Sequence, residues 1–229
     1  MKRQKLFLLV SVAAGFAAGA VFGRSPPTGS NPPTPSICGA IPENLVFNCG
    51  FEELIDSMPV GWTLHRAASG SSFGAGPGIQ HSGTNGAYFG ATSPPNVDTL
   101  AQTIAIVPGD FYRVSFFLAN GQEFSRSAPS RFTASLTFLS AGGVTVAEDA
   151  LLSLTNPEVF PYTEFTATRA APGEAVHANL RFSAYQVPDF FYLDDVSVVQ
   201  VATAPEPATL GLMVLGLLGA GLAGRRRRN

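Results

Sequence analysis

The chain has 229 residues, 45% of them hydrophobic and 13% charged, with a formal net charge of −2. Both lysines lie in the first five positions and four arginines close the chain, so between Arg24 and Thr203 seven arginines face fifteen acids, a balance near −8. So acidic a middle argues against a nucleic-acid partner, because phosphate binding needs a basic face; it suits neutral sugar, a divalent cation or plain solubility. Residues 1–23 begin with Lys2, Arg3 and Lys5 and continue as an apolar, Ala-rich stretch from Leu6 to Phe22. That is the layout of a secretory signal peptide, with Ala18-Gly19-Ala20 offering small residues for cleavage and an uncleaved N-terminal anchor as the alternative. Residues 24–37 carry Pro26, Pro27, Pro32, Pro33 and Pro35 among small polar residues. They bury too little apolar surface to fold and read as an extended linker.

Cys38 and Cys49 are the only cysteines. Export places them in an oxidising compartment, and their close spacing without a competitor points to a disulfide that pins the leader to the first strand. Residues 38–203 form the one folded domain expected, and from Asn44 onward its pattern has period two. Phe132, Ala134, Leu136 and Phe138 alternate with Arg131, Thr133, Ser135 and Thr137; Val176, Ala178, Leu180, Phe182 and Ala184 alternate with His177, Asn179, Arg181 and Ser183. Tyr112, Val114, Phe116 and Leu118 form the apolar side of a third stretch. Such alternation turns one face to a core and the other to water. Further strands are predicted at Leu45–Asn48, Trp62–Arg66, Ala87–Gly90, Thr99–Ile106, Val144–Glu148, Tyr162–Thr168 and Phe190–Val201. Pro108-Gly109 and Pro172-Gly173 predict type II turns, and Asn85-Gly86 another turn. About ten short strands without a long amphipathic helix predict an all-β fold, an antiparallel sandwich of jelly-roll type.

The order of short motifs carries a resemblance. Asn44-Leu45-Val46-Phe47-Asn48 leads to Phe51-Glu52, then Pro59-Val60-Gly61-Trp62, His81-Ser82-Gly83, Val107-Pro108-Gly109 and Tyr192-Leu193-Asp194-Asp195-Val196. This series resembles the galactose-binding-domain-like jelly rolls, which include many carbohydrate-binding modules. The resemblance implies a structural calcium held by an early Glu and a late Asp, here Glu52 with Asp194 or Asp195. Calcium requires such hard oxygen ligands; the alternative is that these acids are solvated or bonded to backbone amides. It also implies a sugar site of aromatic rings with polar partners. Tyr88, Phe124, Tyr162 and Tyr185 are the candidate rings, with Arg126 or Arg181 beside them, whereas Trp62 reads as core. Gly70-Ser71-Ser72-Phe73-Gly74 fits the Gly-x-Ser-x-Gly hydrolase pattern, but that motif needs a strand-to-helix elbow, and here it falls in a Gly/Ser-rich loop with no helix after it.

Residues 204–229 contain Pro205-Glu206-Pro207, an uncharged run from Ala208 to Gly224, and then Arg225, Arg226, Arg227 and Arg228. The prolines make the tripeptide stiff and extended, the run is just long enough to span a thin bilayer, and the arginines stop transfer. This order resembles the PEP-CTERM sorting signal of Gram-negative bacteria; a plain membrane anchor is the alternative. The resemblance implies processing by an exosortase, a membrane protease or transpeptidase, transient anchoring in the inner membrane, and delivery to the cell surface or beyond, often in association with exopolysaccharide and biofilm. The resulting expectation is an exported, non-catalytic module that contacts polysaccharide. A structural or adhesive envelope protein acting through protein contacts is the alternative, and a serine hydrolase using Ser72 a remote one.

Overall fold

The computed structural model describes residues 35–67, 71–90, 96–121, 129–186 and 190–201. The signal and sorting-tail expectations, together with Phe124, Arg126 and residues 24–34 of the linker, lie outside the described residues. The end of the expected linker is corrected, since Ser36 donates to Asp195, the Ile37 N–H donates to Ser82, and Ile37 begins a 3-10 turn. A 3-10 turn at Ile37–Ala40 precedes twelve strands: β1 Leu54–Ile55, β2 Met58–Pro59, β3 Thr63–His65, β4 Ser72–Pro77, β5 Asn85–Gly90, β6 Asp98–Ala105, β7 Phe111–Asn120, β8 Arg131–Leu139, β9 Thr145–Thr155, β10 Phe160–Ala170, β11 His177–Tyr185 and β12 Phe191–Val201. β1 and β2 form a small hairpin. The others make two five-stranded sheets, β10-β7-β12-β5-β4 (the first) and β3-β6-β11-β8-β9 (the second). All pairings are antiparallel. The all-β sandwich predicted from the alternation is the fold observed.

The alternation also identifies the core. The apolar members of the three period-two stretches are buried, including Leu118, Leu136, Leu180 and Phe182, except Val176, which is half-buried because β11 begins only at His177. Phenylalanines from both sheets interlock: Phe116 meets Phe182 edge-on at 5.1 Å, and Phe132 lies 5.4 Å from Phe191. Aromatic pairs favour such tilted arrangements, which add to the stabilisation from buried area. Trp62 is a core residue, tilted against Phe51 at 5.3 Å, and its indole N–H donates to the Asn48 carbonyl at 3.1 Å.

Several expectations are corrected. Leu45–Asn48 is not a strand: Asn48 and Phe51 have left-handed φ values of 48° and 58°, which break an extended run. The backbone of this segment is held by side chains instead. Gln102 on β6 accepts from the Phe47 N–H and donates to its carbonyl, while Asn44 accepts from the Val198 N–H and donates to the Val196 carbonyl. The Cys38–Cys49 disulfide is formed, and it therefore clips the 3-10 turn to a turn rather than to a strand. Asn85 and Gly86 begin β5; the chain reverses earlier, with Gly78 and Gly83 at positive φ. Pro108-Gly109 makes the type II turn predicted, with Gly109 at φ 83°. At Pro172 the turn closes from the Ala175 N–H to the Pro172 carbonyl, so Gly173 and Glu174 are central and proline is one place earlier than expected. Ser72 starts an edge strand, β4, and not a loop.

Candidate functional site

The late acids sit where β12 breaks its pairing with β7. The register shifts between Asp194 and Ser197, and Asp195 takes a left-handed φ of 48°, so two adjacent carboxylates both reach the 78–84 turn. Asp194 accepts from the backbone N–H groups of His81 (2.8 Å), Ser82 (3.1 Å) and Asp195 (2.7 Å). Asp195 accepts from the hydroxyls of Ser36 (3.0 Å) and Ser82 (2.8 Å) and faces the His81 Nδ1 at 2.7 Å. Glu52 approaches the other end of the same turn, where its carboxylate accepts from the N–H groups of Thr84 (2.9 Å) and Asn85 (3.4 Å). Burial, and after it the charge of Asp195, pushes Asp194 up to about 8, against the three N–H donors that pull it down. Donor hydrogens face all four oxygens of the aspartate pair, and a cation there would have to displace them. Among the described residues no three His, Cys, Asp or Glu side chains group in a way that could hold a metal ion.

The aromatic candidates fall on opposite sheets. Tyr88 on β5 and Tyr162 on β10 belong to the first sheet, and Tyr185 on β11 to the second. Tyr162 donates its hydroxyl to the Ile79 carbonyl, and burial followed by the charges of Asp194 and Asp195 raises its pKa above the usual phenol value. Its ring is tilted against His81, which stacks on Phe117 with centroids 3.8 Å apart. Tyr88 meets Phe190 edge-on at 5.7 Å, and a Cβ on Gly74 would approach its hydroxyl to 3.0 Å. Tyr162 is thus committed to holding the 78–84 turn, and the Tyr88 ring packs among its neighbours.

Tyr185 has a different setting. On the outward side of the second sheet, Tyr185 lies opposite Arg131, and Ser183 lies between Thr133 and Thr99. Arg181 lies between Ser135 and Ala101, and Asn179 between Thr137 and Thr103. The inward partners Ala178, Leu180, Phe182 and Ala184 are all buried, which fixes these rows on the open side. The Thr99 and Ser183 hydroxyls are 3.1 Å apart, and Asn179 donates to the Thr103 hydroxyl at 2.9 Å. At the Tyr185 end, Val97, Arg131, Thr133, Ser183, Ala184 and Tyr185 line a cavity of about 230 Å3. A larger depression of about 530 Å3 lies over the disulfide, but its walls come from one short segment between Ser36 and Glu53. Groups converging from several strands are what a ligand site needs, and only the Tyr185 cavity of the two has them. Arg181 and Tyr185 were candidates from the sequence. The hydroxyl rows around them were legible only as water-facing positions, because the register that joins strands is absent from a linear pattern.

Solved structures share this fold. The enzymatically active domain of tailspike protein 4 of bacteriophage CBA120 aligns at 17% identity and a TM-score of 0.56, covering 69% of this chain and 22% of that one. The Stig cyclase Fisc from Fischerella sp. TAU aligns at 17% identity and a TM-score of 0.50, covering 70% of this chain and 98% of that one. The CBM22-1–GH10 modules of the Clostridium thermocellum xylanase 10B align at 20% identity and a TM-score of 0.49, covering 71% of this chain and 29% of that one. At such identities the likeness is one of fold alone. The sequence has no match among curated proteins. C-terminal to the sandwich, residues 203–228 match the PEP-CTERM protein-sorting motif, so the chain is an all-β sandwich protein that carries a PEP-CTERM sorting tail.

Proposed function

We propose that this chain is an exported, non-catalytic protein that binds polysaccharide through the open face of its second sheet. In this reading an exosortase processes the tail, and the sandwich is displayed at the cell surface or released beyond it after a transient hold in the inner membrane. The observation that carries the binding role is the set of polar rows around Arg181 and Tyr185, which ends in a cavity between β8 and β11. A sugar chain presents hydroxyls along its length and apolar ring faces between them. Ser, Thr and Asn side chains answer the first, and an aromatic ring such as Tyr185 the second. The absence of a catalytic role is supported by Ser72, which is exposed on an edge strand and followed by more strand, not by the helix that a nucleophile elbow requires. His65, His81 and His177 are dispersed over β3, the 78–84 turn and β11.

The test is affinity electrophoresis of the full-length chain, solubilised in detergent, through gels that contain soluble polysaccharides of differing charge and linkage. Retardation by at least one of them is expected, with a Tyr185→Ala variant weakened by about 0.5–1.5 kcal/mol, the scale of an aromatic contact. No retardation by any polysaccharide, with or without added calcium, would leave the structural or adhesive role in its place.

A further inference from the structure

The five described arginines of this acidic chain are not used alike. Arg66 donates to the Phe73 carbonyl, and Arg169 donates to the Ala150 carbonyl beside Asp149. Arg113 stands on β7, in the other sheet. Arg131 and Arg181 share the open face of the second sheet, are both exposed, and make no hydrogen bond or ion pair among the described residues. We propose that the polysaccharide bound by this face is acidic, a chain whose rings carry carboxylates, and that Arg131 and Arg181 are its two anion clamps.

The register sets their spacing. Arg131 is opposite Tyr185, and Arg181 lies four residues back along β11, so the clamps are about 14 Å apart, at 3.3 Å per residue and one strand spacing of about 4.8 Å. The row between them is Ser183 with Thr133 and Thr99, neutral groups suited to sugar hydroxyls. A uronate chain laid along β11 carries a carboxylate on every ring and so meets both arginines while its hydroxyls meet the intervening row. The Arg181 row is otherwise short: Ala101 lies on one side, and Ser135, backed by Ala150, on the other. Nothing bulky in that row stands between the guanidinium and a ligand.

The acids nearby do not answer these cations. Glu148 projects from β9 in the row beyond Arg181, two strands away, and forms no ion pair with it. Asp98 pairs with Ala184 on the inward side, is fully buried, and accepts from the Ala67 N–H. His65 on β3 ends the intervening row itself, one strand beyond Thr99, and His177 lies in a row beyond Asn179. Guanidinium matches carboxylate with two parallel N–H···O bonds, which a neutral sugar cannot accept as an anion does. One exposed pair is worth little, but two on a single chain reinforce each other by effective concentration.

This inference rests on the open face being the sugar site, and the experiment separates the two. The full-length chain in detergent is titrated with sodium polygalacturonate, with neutral dextran and with poly-L-glutamate, at about 0.05 M and about 0.5 M salt. Polygalacturonate is expected to bind about tenfold or more tighter than dextran or polyglutamate at low salt, and to lose most of that advantage at high salt. Arg131→Gln and Arg181→Gln should each weaken polygalacturonate about fivefold or more with unchanged Tm, whereas Arg113→Gln on the other sheet leaves it intact. Equal, salt-independent binding of dextran overturns the acidic ligand and keeps the sugar site. Equal binding of polyglutamate reduces the site to a charge trap and overturns the inference as well. Binding to none of the three overturns it together with any charge-based reading of this face. Retardation of some other neutral glycan in the gels would then keep the sugar site alone.

Discussion

Asp194 and Asp195 are neighbours in sequence and nearly inaccessible, yet their surroundings differ. Asp194 is held by three backbone N–H groups, and Asp195 by two hydroxyls and an imidazole. With burial and the Asp195 charge pushing it up to about 8, Asp194 binds a proton more tightly in the folded chain than an unfolded aspartate near 3.9 does. Its contribution to stability is therefore complete below about pH 4 and is lost as pH rises through about 8. The expected outcome is a Tm that declines between about pH 4 and pH 8, and an Asp194→Asn variant in which that decline is flattened. His81 and Tyr162 border the same carboxylates, so the variant's slope, not the wild-type curve alone, carries the assignment. A slope as steep in the variant as in the parent would place the titration elsewhere. Asn presents one oxygen where the carboxyl group presents two, and its NH2 would face an N–H donor, so the variant should also be less stable than the parent at low pH.

At the scale of elements, what the sequence revealed follows from how each strand is buried. β7, β8 and β11 lie inside their sheets with one face on the core, so their alternation was complete and their limits readable. β9 is an edge strand whose exposure alternates only loosely, which is why less than half of Thr145–Thr155 was expected. β4 looked like a loop because of its glycines. Gly74 is there because a Cβ would approach the Ser57 carbonyl to 2.9 Å, where the β1–β2 hairpin crosses. Leu45–Asn48 imitated a strand and is a turn fixed by Gln102, Asn44 and the disulfide. The acids on β12 were legible as a pair with Glu52, but their common orientation depends on a bulge that no alternation encodes. The clip gives this level its prediction. It closes a loop of sequence separation 11, and its segment supplies Ser36 and the Cys38 N–H to Asp195. The chain-entropy model gives such a loop about 3 kcal/mol, so replacing both cysteines by alanine should lower Tm by roughly 6–12 °C. A shift within a degree would mean that the clip opens without the sandwich.

For the whole molecule, the two sheets divide the work. In the first sheet the N-terminal clip and the 78–84 turn gather at the break in β12, its central strand, around buried carboxylates, while the second sheet presents open polar rows. A structural calcium on Glu52, Asp194 and Asp195 would place a cation at the gathering point. Calcium takes about six to eight oxygen ligands, whereas here the oxygens of the aspartate pair already receive N–H, O–H or imidazole groups and Glu52 is bonded to the far end of the turn. Binding would have to give up those hydrogen bonds, several of them buried, before it gained metal–oxygen contacts. Chelation should therefore leave Tm unchanged to about a degree, and millimolar calcium should not raise it, since a ligand stabilises only to the extent that it prefers the folded chain. A Tm that falls by several degrees in EDTA, recovers with calcium, and stops responding in Glu52→Gln or Asp194→Asn would reverse this conclusion. It would make the hydrogen bonds of the corner the metal-free arrangement of a calcium site. The polar face lies on the other sheet, so in either case polysaccharide binding there should not change with chelation, and gel retardation with and without EDTA checks the two sites independently.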